Sequence, residues 1–518
     1  MFFVALSAIS AETINLIPNA QSPTCGIQEA IDALPPEGGT VLLPEGRFPI
    51  ECFIKLRSSV TLKGKGEKTV IAGGRNEKRA RIAADAPSGS KVLAVSDASG
   101  FYPGQTVIVY ENAKKKGASF HYMVESVDSK TKTITLGSTV GFTLKAGQTE
   151  VGFGLYALLA APLKNGAVEL AVTDTEPFHP GESIVLMGNS NSGRGGWGIE
   201  ENIIEKVDAK AKVLTLKEPV WVSAFARVLV THGYGGILAM GGREWGKPMK
   251  GAAVEDFAVE GWKGDIRPDI HHFFIGAVTF MECDDFRIRN VIVSDWHSDG
   301  ISLQNCRDGR VEDSSATRTW GDGFHSGTAS QRLTWERCSS TFNTGMPMLG
   351  TPGDGYFFCW ENEGMVLRKC IFSDNAGAGV GRLGSSGGPL GDRNNTVEGC
   401  VIERNGKSGI ELDGCAEAKN KIIGNTVRDN SRNDPGRYAG IHLSGGAGQC
   451  IIESNIVESR SVPPTQLWGI REETNAVKNV FRKNRIGPHA SGGLVIQPGS
   501  ASEENQVLQR RNRDDPLP

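Results

Sequence analysis

From residue 276 to residue 495 the chain repeats one pattern, in which a glycine opens a short stretch of alternating apolar and other residues. The first and third residues after the glycine are mostly apolar, as in Ile301 and Leu303 or Ile410 and Leu412. Such alternation is typical of a β-strand with one face in a core. Successive glycines are 23 to 32 residues apart, which is the period of a solenoid coil. These glycines are Gly276, Gly300, Gly323, Gly355, Gly379, Gly409, Gly440, Gly469 and Gly493.

A second column of small or polar residues recurs once per coil, after another short strand. Stacked asparagine amides can hydrogen-bond along such a column, and cysteine fills a similar volume. The predicted members are Asn290, Asp313, Cys338, Cys370, Cys400, Asn425, Asn455 and Asn484. The two columns together predict an all-β fold, a right-handed parallel β-helix.

The first unit predicts a cap for this solenoid. Ile27, Ala30, Ile31 and Leu34 recur at helical spacing, and Pro35 follows them, so a short helix should end there. A helix in this place would cover the exposed strand edge at the start of the solenoid.

Residues 88–235 interrupt the pattern and contain a duplication. The segment 91–97 resembles 168–174, and 101–104 resembles 178–181. We interpret them as two small inserted β-modules, for which a structural role is favoured over glycan binding. The predicted organisation is 1–11 as the remnant of a signal peptide, 12–87 as cap and first coils, 88–160 and 161–235 as modules, 236–499 as main β-helix, and 500–518 as a frayed polar tail.

Charge and composition indicate which classes of binding partner to expect and in which compartment the protein works. The net charge of −3 gives no reason to expect binding to nucleic acid or to an anionic membrane. The apolar start ending in small residues favours export. Of the 10 cysteines, Cys25 and Cys52 flank the first helix and are candidates for a disulfide, whereas the others fit the interior of the coils. The sequence does not predict an oligomeric state.

The candidate chemistry lies at the starts of three consecutive strands. Asp299, Asp322 and Asp354 each precede a strand glycine, and adjacent coils are about 4.8 Å apart. Carboxylates that close need a bridging cation or a shared proton, unless each caps its own turn. The second residue after each glycine should face solvent and form a groove floor. That column is Ser302, His325, Phe357, Gly381, Glu411, His442 and Arg471.

The segments 320–327, 353–361 and 377–384 resemble the calcium-dependent pectate lyases, whose coils carry aspartate-rich motifs and a catalytic lysine. The resemblance implies that Asp322 and Asp354 bind calcium (Ca2+). The position of Asp299 in the same column of carboxylates makes it a third candidate ligand. The sequence departs from the motif, since Gly353 and Phe357 replace two calcium-binding aspartates. Gly381 stands where the lysine belongs, and the neighbouring Arg382 should point inward unless its strand is bulged.

A second resemblance is to the polygalacturonases. Ser298-Asp299-Gly300 is similar to their NTDG motif, and Gly321-Asp322-Gly323 to their GDD motif. It implies an inverting hydrolase in which Asp299, Asp322 and Asp354 supply the acid and the base. The second aspartate of the GDD pair and the later GHG and RIK motifs are missing.

The sequence therefore predicts an exported enzyme that acts on a polysaccharide or oligosaccharide, with a lyase acting on uronates by β-elimination as the first interpretation. His325 is the expected base, and Arg382 joins the three aspartates as a catalytic candidate. A hydrolase, a C5 epimerase and a non-catalytic glycan-binding β-helix are the alternatives. The pair His271-His272 is interpreted as structural. Candidate substrate-binding residues are His297, Trp320, Trp360, Glu361, Arg393, Glu411, Asp413, Arg437, His442 and Arg471.

Overall fold

The computed structural model describes the greater part of the chain. Its ranges are 12–73, 78–110, 119–188, 198–220, 223–224, 229–232, 236–240, 248–261, 276–345, 352–384 and 390–508. The predicted signal remnant at 1–11 and the pair His271-His272 lie outside them. Within these ranges no helix has the length and apolar character needed to cross a lipid bilayer.

Two long parallel sheets wind together as a β-helix and confirm the predicted fold class. The first, which we call the site sheet, has 11 strands. They are Ile54–Leu56, Ile237–Met240, Val278–Met281, Ile301–Gln304, Phe324–Gly327, Tyr356–Cys359, Val380–Leu383, Ile410–Asp413, Ile441–Ser444, Trp468–Glu472 and Gly492–Val495. Every neighbouring pair is parallel, and each coil adds one strand to the sheet.

The second sheet has 22 strands and forms the remaining walls. Its strands are Thr13–Asn15, Gly39–Leu42, Gly46–Ile50, Val60–Gly73, Ala253–Glu260, Arg287–Ser294, Arg310–Glu312, Ser315–Thr317, Thr334–Glu336, Ser339–Thr341, Val366–Arg368, Ile371–Ser373, Thr396–Glu398, Val401–Glu403, Lys421–Ile423, Thr426–Arg428, Ile451–Glu453, Ile456–Glu458, Val480–Arg482, Arg485–Ile486, Ala501–Glu503 and Gln506–Val507. A small parallel pair joins Met249–Lys250 to Cys283–Asp284. The last two strands of the large sheet lie in the predicted frayed tail, so ordered structure continues beyond residue 500.

The duplicated segment forms two antiparallel six-stranded sheets, inserted between the solenoid strands Val60–Gly73 and Ile237–Met240. The first has strands Lys78–Arg81, Val92–Ala94, Thr106–Tyr110, Ser119–Asp128, Thr133–Leu136 and Glu150–Phe153. The second has Tyr156–Leu158, Glu169–Ala171, Ser183–Gly188, Gly198–Asp208, Val213–Leu216 and Leu229–His232. The first module begins before the predicted residue 88, because Lys78–Arg81 pairs with Glu150–Phe153. The solenoid resumes in register, since Ile237–Met240 pairs with Ile54–Leu56.

The capping helix spans Ile27–Ala33. Ile27 and Ile31 are fully buried and join the main core, as their helical spacing predicts. The helix ends where Leu34 turns to extended backbone, because the residue before a proline disfavours the helical conformation. No disulfide joins Cys25 to Cys52, and the Cys25 thiol instead donates a hydrogen bond to the Pro49 carbonyl at 3.0 Å.

The interior column is confirmed for most of its members and shifted for two. Asn425 donates to Asn455 Oδ1 at 3.0 Å, and Asn455 donates to Asn484 Oδ1 at the same distance. Asp313 is exposed and pairs with Arg337 on the next coil. The column position in that coil belongs to the following residue, Ser314, which is buried and accepts a hydrogen bond from the Val291 amide at 3.1 Å.

Asn290 occupies the same turn position as Asp313. Both have positive φ, at 50° and 52°, and Asn290 is half-buried, donating to Asp256 at 2.9 Å. A left-handed turn residue tolerates asparagine and aspartate. Residue type alone therefore does not distinguish this turn position from the interior column.

Candidate functional site

The site sheet aligns the predicted outward column from coil to coil. Ser302 pairs with His325, and His325 pairs with Phe357, which pairs in turn with Gly381. Further along the sheet, Glu411 pairs with His442 and His442 with Arg471. The predicted register is therefore correct over these coils.

The prediction that this column faces solvent is wrong for its first four members, which are buried. The His325 side chain is only 1% exposed. Its ring lies edge-on against Phe357, with centroids 5.0 Å apart. Neighbouring side chains thus cover the outward face here, although strand alternation directs it away from the core. Glu411, His442 and Arg471 are half-buried.

The three aspartates are buried and act as links between coils, rather than as caps of their own turns. Asp299 Oδ1 accepts a hydrogen bond from the Asp322 amide at 2.8 Å. Asp322 Oδ1 accepts one from the Asp354 amide, and Asp354 Oδ1 one from the Ala378 amide, each at 2.6 Å. Each carboxylate therefore uses its Oδ1 atom to accept a hydrogen bond from the backbone of the next coil, and its Oδ2 atom takes no part in that link.

Glycine makes room for the last of these carboxylates. A Cβ atom on Gly381 would fall inside the van der Waals radius of Asp354 Oδ2, and one on Gly377 would overlap Asp354 Oδ1. The glycine that replaces the expected lysine at 381 therefore has a physical reason, because the Asp354 carboxylate occupies that space.

His325 forms a buried ion pair with Asp299. The distance from Nδ1 to Asp299 Oδ2 is 2.8 Å, and both side chains are at most 2% exposed. Burial by itself would lower the pKa of His325, but the charge of Asp299 and its hydrogen bond outweigh burial and raise that pKa to about 10. The imidazole is therefore protonated at neutral pH, which favours the role of acid or cation over the role of base.

The other two aspartates hold protons more tightly than usual. Burial, followed by the charge of Asp299, raises the pKa of Asp322 to about 7. Burial and the charges of Asp322 and Glu411 raise the pKa of Asp354 well above its ordinary value. Asp322 Oδ2 is buried and has no hydrogen-bond partner among the described residues. A carboxyl with a pKa near 7 can both give and take a proton at neutral pH.

Arg382 points outward because its strand is bulged. The pairing with the next strand shifts register between Val380 and Leu383, and Arg382 has a φ of 55°. Its side chain is exposed, and the guanidinium lies 5.7 Å from the centre of the Phe357 ring. The bulge, which alternation could not reveal, thus places a cation above the aromatic ring that covers His325.

A second cluster of titratable residues, formed by Glu411, His442 and Glu473, lies further along the site sheet. His442 Nε2 is 3.0 Å from Glu473 Oε1. Burial raises the pKa of Glu411, and Lys407 and His442 partly offset the rise. Lys407 also lowers the pKa of Asp354, so its positive charge acts on both the aspartate column and the cluster around Glu411. Lys407 was not among the residues predicted from the sequence, although its position two residues before the strand glycine Gly409 was a usable signal.

The other predicted binding residues occupy several places. His297 is buried against Trp296, and Trp320, Trp360 and Glu361 are half-buried on turns beside the site sheet. Asp413 is half-buried at the end of its strand. Two predicted arginines have carboxylate partners of their own: Arg393 pairs with Glu363 at 2.8 Å and Arg437 with Asp434 at 2.9 Å. The first pair joins neighbouring coils and the second lies within one turn, so neither gives support to a substrate role.

The geometry revises the predicted metal set. Asp299, Asp322 and His325 each offer one potential ligand atom, and these atoms lie within 4.8 Å of one another; Asp354 is not in this group. Calcium takes six to eight oxygen ligands. In this cluster the Oδ1 atoms of Asp299 and Asp322 already accept hydrogen bonds from backbone amides, and Asp299 Oδ2 contacts the His325 imidazole. The ligand atom that His325 would offer is a nitrogen, not an oxygen. These residues fit calcium poorly, and we derive no chemical step through it.

Comparison with known proteins supports the fold. A family model described as a right handed beta helix region matches residues 276–457, which confirms the predicted handedness. No curated protein matches the chain. Among solved structures, the Azotobacter vinelandii mannuronan C-5 epimerase AlgE6 A-module is 13% identical, with 94% of this chain and 95% of that chain covered and a TM-score of 0.48.

Two further solved structures are similar, with lower TM-scores. The tailspike protein gp49 from Pseudomonas phage LKA1 is 12% identical, with 89% of this chain and 73% of that chain covered and a TM-score of 0.34. A glycoside hydrolase is 10% identical, with 92% and 90% covered and a TM-score of 0.43. Their activities belong to those proteins, and the function of this chain rests on its own side chains.

Proposed function

We propose that this protein is an enzyme that cleaves a uronate-containing polysaccharide by β-elimination. The observation that carries the proposal is the buried cluster of Asp299, Asp322 and His325, in which His325 pairs with Asp299 at 2.8 Å and the potential ligand atoms of all three lie within 4.8 Å of one another. Burial and the charge of Asp299 raise the pKa of Asp322 to about 7, and the charge of Asp299 raises that of His325 to about 10. We further propose that the activity is periplasmic or extracellular, as expected if the substrate is an extracellular polysaccharide.

Elimination needs a base for the C5 proton, an acid for the leaving oxygen and a cation for the carboxylate of the sugar. Asp322 supplies the base, since its pKa of about 7 leaves a substantial ionised fraction at neutral pH. His325 supplies the acid, and Asp299 keeps it protonated and oriented. The exposed guanidinium of Arg382 binds the sugar carboxylate.

The spacing of Asp299 and Asp322 favours elimination over inverting hydrolysis by this pair of carboxyl groups. Inverting hydrolases separate their two carboxyl groups by about 6.5–9.5 Å to admit a water molecule. The potential ligand atoms of Asp299 and Asp322 lie within 4.8 Å of each other, and Asp299 is engaged by His325. The proposal requires the Phe357 ring, which packs edge-on against His325, to move aside when substrate binds, while Arg382 holds the sugar carboxylate.

The test is a digest of acidic and neutral polysaccharides, with and without chelator, by the wild type and by Asp322→Asn. Ultraviolet absorbance reports an unsaturated uronate, reducing-end release reports any cleavage, and proton NMR reports inversion at C5. Asp308→Asn is the matched control, because Asp308 is an exposed turn aspartate that pairs with Arg332. We expect absorbance from the wild type and the control, and a loss of about 10²- to 10⁴-fold in Asp322→Asn.

Each other outcome contradicts the proposal in a distinct way. Reducing ends without absorbance indicate a hydrolase, and inversion at C5 without cleavage indicates an epimerase. Binding of a polymer that is never altered indicates a glycan-binding β-helix. Loss of absorbance with chelator would restore calcium to the mechanism and reject metal-free acid–base catalysis by Asp322 and His325.

A further inference from the structure

Most arginines between residues 276 and 508 have a carboxylate partner, as Arg337 has Asp313 at 2.6 Å. Arg382 and Arg471 differ. Within the part of the chain that the structure describes, neither guanidinium takes part in an ion pair or a hydrogen bond. Both lie on the outward face of the site sheet, Arg382 exposed and Arg471 half-buried. These two positive charges are therefore available to a bound molecule.

Both arginines are held in ways that cost free energy in the unbound protein. Arg382 has a φ of 55° inside its bulged strand, a left-handed conformation that disfavours a long side chain. Arg471 is half-buried, and a partly desolvated charge without a counter-ion is destabilising. Strained backbone of this kind is concentrated at ligand sites, and a bound anion would offset the cost of the unpaired charge.

The two arginines lie in line with the candidate centre along the solenoid. Two strand steps of the site sheet separate the strand of His325 from that of Arg382, and three more lead to that of Arg471. Because adjacent strands are about 4.8 Å apart, the strands of the two arginines are about 14 Å apart, and that of Arg471 is about 24 Å from that of His325. One extended chain of several sugar units therefore has the reach to contact the centre and both arginines.

The residues between the two arginines do not oppose an anionic chain. Burial raises the pKa of Glu411, which favours its neutral form, and Lys407 adds a positive charge beside it. Glu473 is engaged by His442, with Oε1 at 3.0 Å from Nε2. The outward face between the arginines thus offers hydrogen-bonding groups to a sugar chain.

We propose that Arg382 and Arg471 bind two carboxylates of one polyuronate chain, which lies along the site sheet from the candidate centre towards the C-terminal coils. Guanidinium groups recognise carboxylates through paired hydrogen bonds, and a methyl ester lacks the negative charge that they recognise. The substrate is then a long polymer with free carboxylates, rather than a short or an esterified one. This inference rests on the proposed function for its link to turnover, and it adds the class of substrate.

The first experiment measures binding without turnover, by affinity electrophoresis of the full-length protein in gels that contain a polymer. The probes are polygalacturonate and polymannuronate, each as the free acid and as the methyl ester, with dextran as the neutral polymer. We expect the free acids to bind more tightly than the esters or dextran, and Arg471→Gln to lose roughly ten-fold in affinity for the free acids.

Arg485→Gln is the matched control for this loss. Arg485 is an exposed arginine on the large sheet, in the strand Arg485–Ile486, and its side chain likewise has no ion pair within the described ranges. The control removes the same charge from another face of the solenoid, so it should keep the affinity of the wild type.

The second experiment compares kinetics on the polymer with kinetics on a uronate trisaccharide. For Arg471→Gln, the KM for the polymer should rise roughly ten-fold with kcat unchanged. The trisaccharide is too short to reach from the centre to Arg471, so its kcat/KM should keep the wild-type value. Arg382→Gln should impair turnover of both substrates, because Arg382 lies beside the centre.

Equal affinity of Arg471→Gln and Arg485→Gln for the free acids would overturn the inference. So would equal binding of acid and ester, absence of binding to both free acids, or an equal kinetic loss on the trisaccharide. Binding needs no turnover, so the two proposals fail separately. Binding that depends on Arg471, in a protein that releases no unsaturated product, would keep this inference and reject the elimination. Elimination that is unaffected by Arg471→Gln would keep the proposed function and reject this inference.

Discussion

Replacing Asp299 by asparagine removes the charge that raises the pKa of His325, and with it one of the charges that raise the pKa of Asp322. The amide oxygen of asparagine can still accept the hydrogen bond from the Asp322 amide, which spans 2.8 Å in the wild type. The negative charge facing His325 Nδ1 is lost. Burial then acts on the imidazole without compensation and favours its neutral form.

The magnitude follows from the pKa of His325, which is raised from 6.5 to about 10. A shift of about 3.5 units corresponds to about 5 kcal/mol of preference for the protonated form in the folded state. This contribution to the free energy of unfolding is fully present below pH 6.5 and is lost as the pH rises through about 10. In Asp299→Asn this contribution to the free energy of unfolding should be absent at every pH, so the variant should not show the corresponding loss of stability as the pH rises towards 10.

Two measurements check this prediction. NMR of protein with isotope-labelled histidine should show His325 protonated from pH 6 to 9 in the wild type and neutral at pH 7 in Asp299→Asn, with His325→Gln assigning the signal. Urea unfolding should show a stability difference between wild type and variant that shrinks from pH 6.5 to 10. Glu473→Gln, beside the half-buried His442, is the control and should cost about 1 kcal/mol or less. Titration of wild-type His325 near pH 6.5 would refute the reasoning.

Two further predictions concern stability. Gly381→Ala should destabilise the fold by about 1–3 kcal/mol, because the added methyl group displaces the Asp354 carboxylate. Thermal melting should show a lower melting temperature than for the control Gly141→Ala, where a Cβ meets nothing within 4 Å. Equal melting temperatures for the two variants would contradict this prediction. Burial lowers the pKa of His489 from 6.5 to about 4, so its contribution of about 3 kcal/mol is present above pH 6.5 and lost as the pH falls towards 4. His489→Gln should remove that part of the acid sensitivity in circular-dichroism melts between pH 4 and 7, and an unchanged acid slope would exclude His489 as its source.

The periodicity of the sequence was sufficient for the architecture. Glycine recurs at strand starts because a side chain there would strike the next coil, as at Gly300, where a Cβ overlaps the Gly323 carbonyl. The apolar alternation around Ile301 and Leu303 similarly assigns each strand an inner face, and both residues are fully buried. These are local requirements that every coil repeats, so one chain displays them many times.

The candidate site was only partly predictable. Strand alternation correctly aligned His325 with Phe357, and the position before each glycine correctly grouped the three aspartates. Alternation failed for Arg382, because a bulge is decided by the fit of one strand to the next. It also could not foresee that His325 would be covered, since burial of an outward residue depends on its neighbours in other coils.

The sequence by itself determined the repeating strands, the capping helix and the set of titratable residues, because each follows from spacing along the chain. Only the tertiary structure decided which of those residues meet. Turn lengths between strands vary from coil to coil, so the contact of Asp299 with His325 joins residues 26 positions apart. Their proton affinities then follow from burial and neighbouring charge, which exist only once the coils are stacked.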